Sequence, residues 1–496
     1  MRKLTPAPPV RTAAVWWKPE LFVLAVFVLS RIAYYASGIR FDASPVAQHW
    51  QFIDPILMRD DLFRSLFYLH MQPPGLNLMV GLLVKFLPHS YPVALQGVGW
   101  CLGLGSALLL LRLMQSFEVA PRVALFLVCL FVITPGTVLY ENFATYDYIS
   151  LFLLLLLAVT LFRFLRDPAV GTSFTFFASL FVLISIRNQF HLLYLLLIIL
   201  GLFLSLPSAR RAVVLGSLPA LVATLAIYVK NWILFGTFVA STWAGMATAV
   251  CTTYQLTPAE ADQLVQQGVV SPLAKIPPFS DLAAYAALVP PSRATGIPVL
   301  DQPSTSTGHP NFNHLGYLEI HRRYVKDAAA VLRHYPKAYV RSCLIAWFAY
   351  FLPAGDVHYF DAARTHIYRF DRFFSALVFG KVLTAGSRQD LRAMLAAGRG
   401  AWLVLYTGVT LMLLLPTLFA WGVVVLARSS LRARLSAAQI RTMGFLLFTI
   451  AWVTALSNLV SSFENNRYRF QIDGYYLVLL GMAWTWLRNR RRRDEV

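Results

Sequence analysis

Charge is scarce in this sequence, and acidic charge scarcer still. Only 13% of the 496 residues are Asp, Glu, Lys or Arg, against 58% hydrophobic, too few to cover a soluble protein of this length. No acidic residue lies between Asp167 and Glu260. That gap spans three apolar runs, and it argues against a proton- or sodium-coupled transporter, which keeps costly carboxylates at mid-membrane for function. Cysteine is nearly absent too. Cys101, Cys129, Cys251 and Cys343 show no CxxC spacing and no histidines in register, which excludes a zinc ribbon or a redox motif. Cys251 and Cys343 share the outer region defined below, where a disulfide is chemically allowed. No internal repeat of fixed period and no low-complexity tract is present.

What the chain has in abundance is apolar length, with a mean hydropathy of +0.60. A membrane-crossing helix needs ~20 apolar residues, within a range of about 17 to 25. Ten runs approach that length: 20–37, 93–111, 123–140, 147–165, 172–187, 190–206, 212–235, 400–427, 441–461 and 469–487. The first follows a basic start and lacks a small-residue cleavage pattern, so it reads as a retained anchor. Two shorter stretches, 75–88 and 339–353, are bounded by Pro74, Pro88 and Pro353 and read as interfacial.

With those two outside the count, Arg112 with Arg122, Arg163 with Arg166, and Arg210 with Arg211 share one side with the basic termini, including Arg488 and Arg490 to Arg493. This is the positive-inside arrangement. It assigns the surplus of 43 basic over 23 acidic residues to membrane orientation and points away from nucleic acid. The expected architecture is an all-α polytopic membrane protein with about ten spans and short interfacial helices. Residues 1–235 form a seven-helix module with a long first outer loop at 38–92. Residues 236–399 form an outer region with interfacial helices, and 400–496 a three-helix end. A bacterial inner membrane suits the short termini and small loops, and the endoplasmic reticulum obeys the same physics.

Reactive side chains gather in the outer segments. The first loop carries Asp42, His49, Asp54, Arg59, Asp60 and Asp61, then His70-Met71-Gln72-Pro73-Pro74. Tyr140-Glu141-Asn142-Phe143-Ala144-Thr145-Tyr146-Asp147 is the second, and the turn from Arg187 to His191 the third. Lys230 and Trp243 follow, and Glu464-Asn465-Asn466-Arg467-Tyr468-Arg469 closes the set. Arg31, about two turns inside the first helix, reads either as a residue snorkelling to head groups or as a phosphate ligand. This mixture suits transfer of a glycosyl group from a lipid phosphate: a carboxylate takes the acceptor proton, and cations hold the leaving phosphate. Arginine's fork matches phosphate oxygens, and a lipid tail explains a site at a membrane interface.

An aspartate just after the first span, followed by His70-x-Gln72-Pro-Pro-Gly-Leu, resembles the GT-C superfamily of polyprenyl-phosphate-dependent glycosyltransferases, which includes protein O-mannosyltransferases and lipid A aminoarabinose transferases. Gly75 interrupts the Pro-Pro-Leu core usual there. The Tyr140-to-Asp147 and Glu464-to-Arg469 segments are similar to motifs of such enzymes. The resemblance covers the first 235 residues and the last pair of spans. It implies Asp42 as general base, with Asp147 as second candidate, and Arg187, His191, Arg467 and Arg469 around the carrier phosphate. Arg31 and Lys230 join that phosphate and lipid set. His70, Gln72, Glu141, Asn142, Trp243 and Glu464 are left to contact the sugar and acceptor. The expected partners are a polyprenyl-phosphate-linked sugar, a glycan, lipid or protein acceptor, and membrane lipids. No cofactor is expected; Asp54, Asp60 and Asp61 are the one cluster that could ligate a hard cation, with Arg59 as the competing ion-pair partner. The competing functions are an O-antigen polymerase or ligase and a lipid-linked sugar flippase.

Overall fold

Proline lacks a backbone N–H and is pre-set for the first turn of a helix, and this chain begins many of its helices there. The helices that frame the site and the apolar body are α1 (Pro19–Ala36), α2 (Gly75–Phe86), α3 (Tyr91–Ser116), α4 (Pro121–Ile133), α5 (Pro135–Glu141), α6 (Tyr146–Arg166), α7 (Val170–Ile186), α8 (Leu192–Ser205), α9 (Arg210–Phe235), α10 (Ala244–Cys251), α11 (Gly316–His334), α12 (Pro336–Tyr350), α13 (Val409–Ala427), α14 (Ala437–Val460), α15 (Asn465–Phe470) and α16 (Asp473–Asp494). Proline occupies the first turn of α1, α3, α4, α5 and α12. This computed structural model describes residues 18–381, 408–462 and 464–494. The extreme N-terminus, the start of run 400–427 and the side chains of Arg490 to Arg493 lie outside the described residues.

The described residues are 74% helical. Among the described residues the only β contacts are isolated bridges, Asp42 with Phe143 and Ser304 with Pro310. Among the described residues, six helices are long and apolar enough to cross a membrane, and a seventh span results if the bent pair α4 and α5 is counted as one. The other apolar runs fold differently from their sequence lengths. Runs 172–187 and 190–206 become α7 and α8, of 17 and 14 residues, and the turn at Arg187 to His191 between them shortens the second. Run 469–487 is broken after Phe470, so that Gln471 and Ile472 separate α15 from α16.

The bend of 56° between α4 and α5 comes from Pro135, which cannot donate to the preceding turn. Carbonyls freed at such a break need partners where water is excluded. Tyr34 and Arg31 of α1 supply them: the Tyr34 hydroxyl donates to the Ile133 carbonyl at 2.8 Å and Arg31 Nη1 to that of Val132 at 2.7 Å. The remaining guanidinium grips Glu141 at the far end of α5, with Nε donating to Oε1 at 2.8 Å and Nη2 paired with Oε2. Glu141 fits there because α3 presents glycine. A Cβ at Gly99 would lie 2.7 Å from the Glu141 carbonyl, and one at Gly103 would overlap its carboxylate.

The most buried spanning-length helix is α6, packed between α3, α7 and α14. Leu151, Leu154, Leu157, Ala158 and Leu161 have no more than 1% of their surface exposed. Segments around Thr242 and Asn313 are laid onto the first loop and clamp it. Asn313 Oδ1 accepts from the amides of His70 and Met71, at 2.8 and 3.1 Å, and the Thr242 amide donates to the His70 carbonyl at 3.0 Å. Gly75 belongs to this packing: a Cβ there would meet the Ser185 main chain of α7, so only glycine admits the close approach.

Replacing Gly103 by valine is expected to push α3 off Glu141 and to cost about 1–3 kcal/mol, the scale of overpacking. Thermal unfolding in detergent measures this, and an unchanged midpoint would mean that the contact is slack.

Candidate functional site: a buried arginine pair on a shared carboxylate

Asp147, in the first turn of α6, has no exposed surface and is reached by two arginines from distant segments. Arg467 Nε of α15 donates to Oδ2 at 2.8 Å, and Arg187 Nη1, just past the end of α7, lies 3.4 Å from Oδ1. Gln471 Nε2 adds a bond to Oδ1 at 3.3 Å, and Glu464 accepts from Arg467 Nη1 at 2.9 Å. Aromatic faces complete the enclosure. The Arg187 guanidinium stands 4.0 Å from the Tyr146 ring centre and 4.8 Å from that of Tyr468, while Arg467 lies over Tyr146 and Tyr359. Such faces attract a cation without satisfying its N–H groups. Burial alone would lower the Arg467 pKa, but Asp147 and its neighbours outweigh it and raise it well above the ordinary value.

These bonds leave part of both forks unused. Among the described residues, Nη1 and Nη2 of Arg187 and Nη2 of Arg467 are buried without a hydrogen-bond partner. The 3.4 Å approach of Arg187 to Asp147 is an ion pair lacking hydrogen-bond alignment. Buried donors of this kind are rare in native proteins, and two partly used guanidinium forks suit an anion with several oxygens.

Asp42 approaches this cradle from the first loop. Its amide donates to the Asn142 carbonyl at 2.8 Å and its carbonyl accepts from the Ala144 amide at 3.1 Å, which fixes it beside Phe143. The carboxylate is solvent-exposed and accepts from the Ser44 amide at 2.8 Å. Phe143 stacks on Tyr359 at 4.8 Å with the rings within 4° of parallel, and Tyr359 flanks Arg467. His49 stands edge-on to both rings, 5.5 Å from Phe143 and 5.9 Å from Tyr359. Burial first, then the charge of Arg467, push its imidazole down to about 4, so it is neutral near pH 7. Next to the Asp42 bridge, a small apolar crevice lies between α2, α3 and the α5–α6 elbow, lined by Phe41, Leu76, Leu95, Tyr140, Phe143 and Ile149 among others.

The remaining sequence candidates are placed elsewhere. Arg31 neither snorkels nor faces the cradle; it is consumed by Glu141 and the α4–α5 break, and Glu141 by Arg31 and the Tyr148 hydroxyl at 3.2 Å. Arg469 is 1% exposed and is spent on Asp473 and on the carbonyls of Tyr350 and Leu352. His191 lies 5.2 Å from the Trp452 ring. Lys230 donates to the Leu69 carbonyl at 2.6 Å. His70 bonds Thr242 Oγ1 at 2.9 Å and Gln72 is buried, so this segment serves the clamp. Burial drives the His70 pKa down to about 3. Trp243 packs on Phe279 and Phe312, and Asn142 meets Asp42 through its carbonyl alone.

Asp147, expected as a second base, is committed between two guanidinium groups, which suits it to hold them in place. Asp54 turns to Ser306, accepting from its hydroxyl and amide at 2.6 Å each, and Asp60 pairs with Arg59 as expected. No group of three His, Cys, Asp or Glu side chains among the described residues could hold a metal ion. Tyr146, Tyr359 and Gln471 were not singled out from the sequence. Tyr146 adjoins Asp147 within a motif already in view, whereas nothing local marks Tyr359 or Gln471.

Comparisons with protein-family models, curated proteins and solved structures find no match to this chain. Fold and site define a class on their own: an all-α protein with helices able to cross a membrane, which buries an arginine pair on a shared carboxylate beside an exposed aspartate.

Asp147→Asn leaves two buried guanidinium groups facing a neutral amide and is expected to cost about 3–5 kcal/mol. Unfolding in detergent measures it, and a second change, Arg187→Met, should restore part of the loss; a wild-type midpoint for the single variant would contradict the shared-carboxylate geometry.

Proposed function

We propose that the chain is a membrane glycosyltransferase of GT-C type that moves a sugar from a polyprenyl-phosphate donor to an acceptor. The observation that carries this reading is the set of buried guanidinium nitrogens on Arg187 and Arg467 without hydrogen-bond partners, linked through Tyr359 and Phe143 to the exposed Asp42. In this reading the acceptor hydroxyl attacks the anomeric carbon, the bond from that carbon to the phosphate oxygen breaks, and Asp42 takes the hydroxyl proton. Negative charge then grows on the departing phosphate, where the two forks receive it. Asp147 keeps both arginines oriented without neutralising all their donors.

The same proposal includes the finer membrane arrangement. The ten apolar runs act as ten spans, with α7 and α8 as short ones, in a bacterial inner membrane. The site faces the exterior, because Arg163 and Arg166 lie at the opposite end of α6 from Asp147, ~30 Å away at the rise of an α-helix. A flippase needs a polar path through the helices, and the lack of acidic residues between Asp167 and Glu260 disfavours one.

Asp42→Asn is expected to lower transfer about a hundredfold or more while the protein inserts and unfolds normally; activity within a few-fold of wild type would sink Asp42 as the base. Arg187→Gln should weaken retention of undecaprenyl phosphate in the purified protein, measured by native mass spectrometry. Reporter fusions at Asn142 and at position 300 should both read outside, and an inside reading at both would place the site on the wrong face.

A further inference from the structure

The residue after His49 departs from what a membrane protein's water-facing loop requires. Trp50 is 45% exposed, and its indole stacks on Phe279 at 5.1 Å with the rings 18° from parallel. Phe312 and Trp243 pack around the pair, so four aromatic rings from four segments form one cluster. Phe279 is held there in an unfavourable backbone conformation, with φ at +63°, which L side chains with a Cβ rarely adopt. Strain of this kind persists where the surroundings over-determine it, and it concentrates at binding sites. The Trp243 indole N–H is buried with no acceptor among the described residues.

The setting of this cluster is polar. The segment 302–308 supplies four hydroxyl side chains, and it is pinned around Trp50 from both sides: Thr307 Oγ1 donates to the Ala47 carbonyl at 2.6 Å, and Ser306 bonds Asp54. Gln48, Ser304, Ser306 and Thr307 are exposed. The 302–308 segment is thus bonded to the chain on either side of Trp50, at Ala47 and at Asp54. The adjacent His49 presents an imidazole whose two nitrogens have no hydrogen-bond partner among the described residues, on the Phe143 ring beside Asp42.

We propose that Trp50 and Phe279 form a carbohydrate-binding platform, and that the acceptor is therefore a glycan whose sugar ring rests on Trp50 while its hydroxyl groups reach His49 and the 302–308 hairpin. Flat aromatic faces bind the apolar faces of sugar rings, and the polar rim satisfies their hydroxyls. Trp50 adjoins His49, whose ring packs on Phe143 beside Asp42, so a glycan resting on Trp50 continues toward Asp42. The assignment names the acceptor class of the site in Proposed function and rests on that reading for its role in transfer, but binding itself does not depend on the donor.

The test uses the full chain in nanodiscs, with a panel of soluble oligosaccharides of four to six units as probes and saturation-transfer NMR as readout. Wild type should bind at least one probe. Trp50→Ala and Phe279→Gly, the second of which relieves the backbone strain, should each weaken binding about tenfold, the scale of one aromatic stacking contact. Undecaprenyl phosphate binding should stay unchanged in both. Failure of every probe on wild type, or undiminished binding by Trp50→Ala, overturns the platform. Fluorescence in phosphatidylcholine vesicles with brominated acyl chains covers the lipid alternative: quenching present in wild type and missing in Trp50→Phe would make Trp50 a membrane anchor and also overturn it. Wild-type protein that binds oligosaccharide but neither binds undecaprenyl phosphate nor transfers sugar would condemn the donor reading alone.

Discussion

Two arginines cannot be buried side by side in an apolar protein unless something negative stands between them, and Asp147 meets that constraint here. Its two oxygens tie Arg187, at the end of one helix, to Arg467, 320 residues further along the chain from Asp147. The start of α6, the end of α7 and the short helix α15 are thereby brought to one point. A single carboxylate shared by two guanidinium groups holds them together yet leaves donors over. That surplus makes the cluster chemically interesting, since a fully matched set of ion pairs would have nothing to offer a ligand.

The second buried ion pair has the opposite character. Arg31 and Glu141 bond through two guanidinium nitrogens and both carboxylate oxygens, and the remaining Arg31 nitrogen closes the break that Pro135 opens between α4 and α5. This pair secures the elbow from which Tyr140 to Asp147 project. Glycines on α3 make room for it. One pair of charges stabilises a bend and the other is poised for an anion, and the difference lies in the ratio of donors to acceptors around each.

Much of the site could be read from residue types and their places along the chain. Asp42, Asp147, Arg187 and Arg467 stand in four separate segments, all at helix ends or in loops, and the structure gathers them. Other residues grouped with these in the sequence are placed elsewhere, for a shared reason. Arg469 sits two residues from Arg467 and looks equivalent, but on a helix that offset turns it about 200° away, toward Asp473 and the carbonyls of α12. Arg31 and Glu141 are 110 residues apart and carry no local sign of being partners. Tyr359 belongs to a region with no recognisable motif, and its importance comes from the two groups that it touches.

The sequence by itself determined the all-helical class, the apolar lengths suited to a membrane and the concentration of polar groups at one set of helix ends, because each follows from composition over a short window. Helix breaks were less accessible: Pro135 announces one, but the interruption at Gln471 and Ile472 depends on Arg469 and Asp147 finding their partners. The tertiary structure alone decided which cations are spent and which keep donors to spare. Coulomb and hydrogen-bond energies depend on distances between atoms hundreds of residues apart, and no local pattern encodes those distances.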